Sequence, residues 1–241
     1  MIAYLGFYDM APVQAANDLY WSKIRDALGA GPAHLERPDD LWPIWTAPDL
    51  VLAQTCSLPY RARLHGQVRL VGTPDFGLPD CPPGRYRSVI VMRNEGHWRS
   101  DLRLAVNDPL SQSGWAALQT VLSERGLQTG PVTLTGSHAA SLQAVAEGAA
   151  DLAGIDLLSW LMFEDLNLTP RGLREVDLSP ITLGPPYITS ASQDPAPLAD
   201  AVRQAITALP DETRRALHLK GFVRPDEDAY VAEPMPPRLA L

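Results

Sequence analysis

At 241 residues the chain is long enough for one large domain or two small ones, either with a substantial core. Hydrophobic residues make up 46% and charged residues 20%, with both signs spread along the chain, which excludes a disordered tail of one sign. A net charge of −8 with no Lys/Arg cluster among aromatics excludes nucleic acid as the main partner but leaves room for a local anion site.

Ile2 to Tyr8 reads as a buried strand running into a loop at Asp9 and Pro12. Val13, Ala16, Tyr20, Ile24, Ala27 and Leu28 then recur at helical spacing, closed by Gly29 and Gly31. Leu50 to Ala53 is a second short apolar run, ending at Gln54, Thr55 and Cys56, and Val68 to Gly72 is a third. Thr73 to Gly84 is dense in Pro and Gly and reads as a domain connection, not a helix or central strand. Tyr86 to Met92 has strong β character and leads into a second block.

In that block Leu102 to Val106 is a predicted strand, followed by a helix through Trp115, Leu118, Val121 and Leu122 that stops at Gly126. Val132 to Leu134 predicts a strand, Ala139 to Glu147 an Ala-rich helix, and Ala150 to Ile155 another strand ending at Asp156. This alternation implies an α/β class with a mostly parallel sheet. Leu183 to Thr189 is again rich in Pro and Gly, so the chain is expected to leave a first domain and return to it. The remainder reads as helical, with Leu198, Val202, Ile206 and Leu209 on one face and a second helix opening at Asp211.

No window approaches about 18 consecutive apolar residues, so no membrane insertion is expected. Met1 leads at once into Ile-Ala-Tyr-Leu-Gly-Phe, without a basic segment or small-residue cleavage site, and as written the chain is expected in the cytoplasm. Cys56 and Cys81 fit no metal-ligand spacing; a disulfide and two separate thiols both remain open. No cofactor and no metal are expected, because no nucleophile elbow, Walker loop, dinucleotide fingerprint or zinc motif is present.

Each polar candidate lies just after a predicted strand: Tyr8, then Gln54 and Thr55, then Asn107 to Gly114, then His138, then Asp156. In α/β sheets ligands bind beyond the carboxyl ends of the strands, so these residues are candidates for one cleft. Ser111, Ser113 and the Gly114 amide gather at a helix start, where unpaired N–H groups and the helix dipole favour an anion. A plain N-cap is the alternative reading for either serine. His138 reads as a ligand donor, a general base or a solvated helix residue, and Asp156 as the partner of a cation or a cap. Tyr60, Trp115 and Tyr187 read as pocket walls or as core.

Three stretches carry a resemblance: Asn107-Asp-Pro-Leu-Ser-Gln-Ser-Gly-Trp, the long run Thr135 to Asp156 that begins Thr-Gly-Ser-His, and Pro186-Tyr-Ile-Thr-Ser. In their order and spacing they resemble the phosphate/phosphonate-type substrate-binding proteins of ABC transporters. The resemblance implies a bilobed type 2 periplasmic-binding-protein-like fold, two α/β lobes joined by two crossover segments, with a ligand captured between them by domain closure. It implies lobes at 1–84 with 186–241 and at 85–185. It also implies a small phosphonate-like or phosphate-like oxyanion as ligand and an ABC transporter permease as partner. Ser111, Ser113, Gly114 and His138 are then oxygen ligands, and Asp156 faces an amine when the ligand has one. Gln112 stands where the family commonly has a hydroxyl, and Tyr8 and Tyr60 are approximate counterparts of its first-lobe tyrosines. An upstream start would place the chain in the periplasm. A cytoplasmic enzyme on the same fold, acting on a small organic carboxylate with His138 as general base, is the alternative, and a sensor module is a third.

Overall fold

The computed structural model of the protein describes residues 1–239, which divide into two compact units. One comprises Met1–Arg85 with Leu183–Glu233; the other comprises Tyr86–Thr182 and the tail from Pro234. Each is built on its own five-stranded sheet.

The first unit holds β1 (Ile2–Tyr4), β2 (Leu50–Gln54), β3 (Val68–Asp75), β11 (Tyr187–Ser190) and β12 (Gly221–Val223), in the order β1-β2-β11-β3-β12. β1 runs parallel to β2, while β11 is antiparallel to both β2 and β3, and β12 is antiparallel to β3. The carboxyl ends of β1, β2 and β3 therefore share one edge of the sheet with the start of β11, where Tyr187 pairs with Gln54. The helix Gln14–Leu28 stops where Gly29 takes a left-handed φ of 72° and returns its N–H to Arg25 O, as the glycine after the apolar run predicts. It packs against the helix Pro195–Ala208, whose buried face carries Leu198, Val202 and Ile206. Tyr4, Trp45, Leu50, Tyr60, Ile188 and Tyr230 share one core cluster, each large apolar side chain contributing about 1.5–3 kcal/mol by leaving water.

The second unit orders its strands β7-β6-β8-β5-β9. These are β5 (Ser88–Arg93), β6 (Leu104–Val106), β7 (Val132–Leu134), β8 (Leu152–Asp156) and β9 (Leu173–Leu178). β6 is parallel to β7 and to β8, and β5 runs against both β8 and β9, so four strands point one way and one the other. Ile90, Leu104, Val106, Trp115, Leu118 and Leu152 form the core beneath the helix Ala117–Glu124. At the opposite strand ends Asp151 accepts from the Arg103 amide and guanidinium and from Arg99, and the Arg103 guanidinium holds its carboxyl well below the usual carboxylate range.

Several expectations are corrected. β1 stops at Tyr4, and a short 3-10 turn, Gly6–Tyr8, replaces the rest of the predicted strand. β3 runs on through Pro74, which lies past the last residue paired with β11 and faces only β12, so its missing N–H breaks no ladder on the other side. The Pro/Gly-rich segment after Ile181 contains β11, a strand between two neighbours in the sheet, and β12 interrupts the helical remainder. Both sheets are mixed, the first because β11 and β12 run against their neighbours as described and the second because β5 runs against β8 and β9. The two passages between the units, β4 (Arg85–Tyr86) and β10 (Thr182–Leu183), pair as a two-stranded ribbon. The tail groups with the second unit, where Trp115 Nε1 donates to Pro237 O at 2.8 Å. Cys56 and Cys81 are not joined by a disulfide. Among the described residues no helix is long and apolar enough to cross a membrane.

Candidate ligand site

In the second unit, β6, β7 and β8 run in the same direction, so Asn107, Thr135 and Asp156 leave or end the sheet at one edge. The loop after β6 is shaped locally. Asp108 accepts from Leu110 N at 2.7 Å with its side chain and from Ser111 N at 3.0 Å with its carbonyl, folding the Asn-Asp-Pro segment into a tight turn. Ser111 then caps the helix: its Oγ accepts from Gly114 N at 2.8 Å. The first turn, Gln112–Ala116, is wound wide and runs directly into Ala117–Glu124.

Ser113 is the second residue of this turn, two past the cap. Its Oγ lies 3.3 Å from Ser111 Oγ and 2.9 Å from His138 Nε2, so two hydroxyls and an imidazole form one chain of hydrogen bonds. His138 is the first residue of the helix His138–Ala146, capped by Ser137 Oγ accepting from Ala140 N at 3.1 Å. The loop before it is tied to Asn107, whose carbonyl accepts from Gly136 N at 3.1 Å. As a residue His138 is half-exposed, but its Nδ1 is buried. Burial pulls the imidazole down to about 4, against a smaller pull upward from the Gly154 backbone, so the ring is neutral at pH 7.

Two of the expected residues have other work. The Gly114 amide is engaged by the Ser111 cap and is not a spare donor; the residue is a glycine for space, since a Cβ there would lie 1.9 Å from Asn107 Oδ1. That oxygen is buried and accepts no hydrogen bond among the described residues. Asp156 is buried and caps the helix Leu157–Asp165, accepting from Ser159 N at 3.1 Å. Gln112 is buried in the same first turn as Ser113. The second unit thus brings Asn107, Ser111, Gln112, Ser113, Gly114 and His138 together through this hydrogen-bonded turn and the loop tied to it, and uses Asp156 as a cap.

In the first unit a cavity of about 20 Å³ lies at the carboxyl edge of its sheet, lined by Tyr8, Asn17, Tyr20, Gln54, Phe76 and Tyr187 among others. Tyr8 packs edge-on against Phe76, with ring centroids 5.2 Å apart. Gln54 is fixed by Nε2 donating to Pro185 O at 3.4 Å. Thr55 is fully buried, its hydroxyl donating to Cys56 O, and it does not line the cavity. Asn17 Nδ2 donates to Asp9 Oδ1 at 2.9 Å, and Arg37 pairs with Asp9 at 2.5 Å. Burial pushes the Tyr20 and Tyr187 hydroxyls well above the usual phenol range, so both stay protonated. Tyr60 is core, donating to Glu227, and Trp115 is core in the second unit. Asn17 and Phe76 went unread in the sequence, and Tyr20 was read only as part of a helical face. Asn17 carried a signal: with Val13, Tyr20 and Ile24 it shares the buried face of its helix, where a polar residue asks for a partner.

A profile of the ABC-transporter phosphonate periplasmic substrate-binding proteins matches residues 52–230. The chain belongs to this family. The family is one of solute-binding components serving ABC transporters, periplasmic in location, and not of enzymes, which removes the general-base reading of His138. No curated protein matches the chain. Among solved structures it is similar to PhnD1 from Prochlorococcus marinus (MIT 9301) in complex with methylphosphonate, at 14% identity over 95% of this chain and 93% of that one, with a TM-score of 0.74. It is also similar to a binding protein component of an ABC phosphonate transporter from Pseudomonas aeruginosa, at 14% identity over 95% and 82% of the two chains and a TM-score of 0.67. A histidine kinase sensor domain with similarity to periplasmic binding proteins follows at 17% identity over 87% of each chain and a TM-score of 0.55. At these identities the likeness shows the fold, bilobed and of type 2.

Proposed function

We propose that this solute-binding protein takes a small phosphonate- or phosphate-like oxyanion at the 111–113 helix start. One observation carries the reading: Ser113 Oγ stands between Ser111 Oγ and His138 Nε2, inside the first turn of a helix that follows the sheet's carboxyl edge. Ser113 Oγ and His138 Nε2 share one hydrogen bond whose direction the ring tautomer sets, and in the Nε2-protonated tautomer the Ser113 proton is free for an anionic oxygen. The amides of Gly114, Trp115 and Ala116 are bonded to Ser111, and the helix start carries the positive end of the dipole, so the site holds negative charge with neutral hydroxyl and imidazole groups beside it. Solute bound here is delivered to an ABC transporter permease from the periplasm.

Calorimetric titration with methylphosphonate and inorganic phosphate tests this. Ser113→Ala and His138→Ala are each expected to weaken binding by about tenfold or more, the worth of a hydrogen bond to a charged group, while thermal unfolding of the ligand-free protein changes little. Unchanged affinity in both variants would overturn the site. Fractionation of cells expressing the chain from its native start tests the location.

A further inference from the structure

We infer that the tail from Pro234 is a positioning element of the serine turn, anchored by Leu239 and holding Trp115 and through it Ser113; the inference rests on the oxyanion reading above. The tail and the turn belong to the same unit. Trp115 stands two residues after Ser113 in the wide turn Gln112–Ala116. Ser111 O accepts from both Trp115 N and Ala116 N at 3.0 Å, so the turn is bonded one residue wider than an ordinary helix. Such turns are rare, and one that carries a binding hydroxyl must be held by what packs on it.

The indole of Trp115 is the handle. The residue is 3% exposed and lies in the core with Leu104, Val106 and Leu118, and its Nε1 donates to Pro237 O at 2.8 Å across 122 positions of sequence. An indole N–H is a donor only, so the acceptor it finds when buried fixes how the ring is turned. Pro237 suits that part. Pro234, Pro236 and Pro237 fix φ along a mostly exposed segment, which lowers the cost of ordering it, and a proline presents a carbonyl with no N–H left to satisfy. Leu239 packs half-buried against the same core cluster and anchors the strap beyond Pro237. The tail therefore acts on the anion through Trp115, as a brace and not as a ligand.

The test is made in the full chain. Leu239→Asp removes the anchor and changes no residue of the turn. Trp115→Phe keeps an aromatic ring but removes the donor, and by its loss it assigns the Trp115 indole N–H signal in proton–nitrogen NMR spectra. Leu239→Asp is expected to open that N–H to solvent exchange, to shift the His138 ring nitrogen signals and to weaken methylphosphonate binding by about fivefold. The loss is smaller than in Ser113→Ala, because the hydroxyl remains and only its preorganisation goes. Trp115→Phe is expected to weaken binding to a similar degree, and the two substitutions together no further than either alone. Titrations are run well below the melting temperature. A tail that only stabilises the core would lower the melting temperature and leave affinity and the His138 signals unchanged in Leu239→Asp, which would overturn the inference. Unchanged affinity in Trp115→Phe, an indole N–H still protected in Leu239→Asp, or losses that add in full in the double variant would overturn it as well. Wild-type protein that binds no methylphosphonate, or affinity unchanged in both Ser113→Ala and His138→Ala, would instead overturn the oxyanion reading itself.

Discussion

The serine turn of the second unit and the aromatic cavity of the first both sit at the carboxyl edge of a five-stranded sheet, yet they treat polar groups in different ways. The serine turn is wired internally: Gly114 N to Ser111 Oγ, Ser113 Oγ to His138 Nε2, Gly136 N to Asn107 O. Its hydroxyls are oriented before a ligand arrives, so little reorganisation is needed when charge enters. The cavity instead buries its polar groups among aromatic and leucine walls, with the Tyr20 hydroxyl bonded to that of Tyr187.

The largest expected effect breaks the wiring from behind. A Cβ at Gly154 would lie 2.7 Å from Ser113 O and 3.2 Å from Gly114 O, both backbone atoms that cannot rotate away. Gly154→Ala is expected to cost about 1–3 kcal/mol, the usual range for overpacking, and to weaken methylphosphonate binding as the turn shifts. Differential scanning calorimetry and titration read both, and an unchanged melting temperature would show that the turn is not pinned by β8.

Next is a satisfied hydroxyl in the first unit. Tyr230 OH donates to Gly184 O at 2.8 Å and lies 2.6 Å from Thr73 Oγ1. Tyr230→Phe strands both buried partners and is expected to destabilise by about 1–3 kcal/mol in urea unfolding. Tyr20→Phe, by contrast, removes the bond to the Tyr187 hydroxyl and is expected to cost about 0.5–1.5 kcal/mol. A loss in Tyr20→Phe as large as that in Tyr230→Phe would mean that the Tyr20 hydroxyl has a further partner.

The pH dependence of His138 is subtler. Its folded value of about 4 lies below the ordinary 6.5, so between these values the unfolded chain binds more protons than the folded one. Its contribution to stability is then fully present above pH 6.5 and is lost as the pH falls toward 4. The difference between wild-type and His138→Gln unfolding free energies should slope across that window and be flat above it. A flat difference throughout would contradict the burial of the ring.

Much of the second unit was legible because its signals are local. The Asn-Asp-Pro turn, the serine cap and the apolar face that follows lie within about fifteen residues, and each acts on its neighbours in sequence. The strand β11 was hidden for the opposite reason. Leu183 to Thr189 carries the residues of a loop, and only pairing with β2 and β3, more than a hundred residues earlier, makes Tyr187–Ser190 a strand. The cavity shares this dependence: Tyr8 and Gln54 were read at strand ends, whereas Tyr20 and Phe76 line it because distant elements converge there.

The sequence by itself determined the α/β alternation, a serine cap at 111 or 113, and the motif pattern that places the chain among the phosphonate-binding proteins, because hydrogen bonds between near neighbours and periodic burial are written in adjacent residues. Tertiary structure alone decided that Tyr187–Ser190 is an inner strand and that Gly154 lies against the backbone of Ser113 and Gly114. It alone decided that the tail rests on Trp115 and that two buried phenols share the rim of one small cavity. Those outcomes depend on which atoms meet across long stretches of chain, and side-chain type sets only what such meetings cost once they occur.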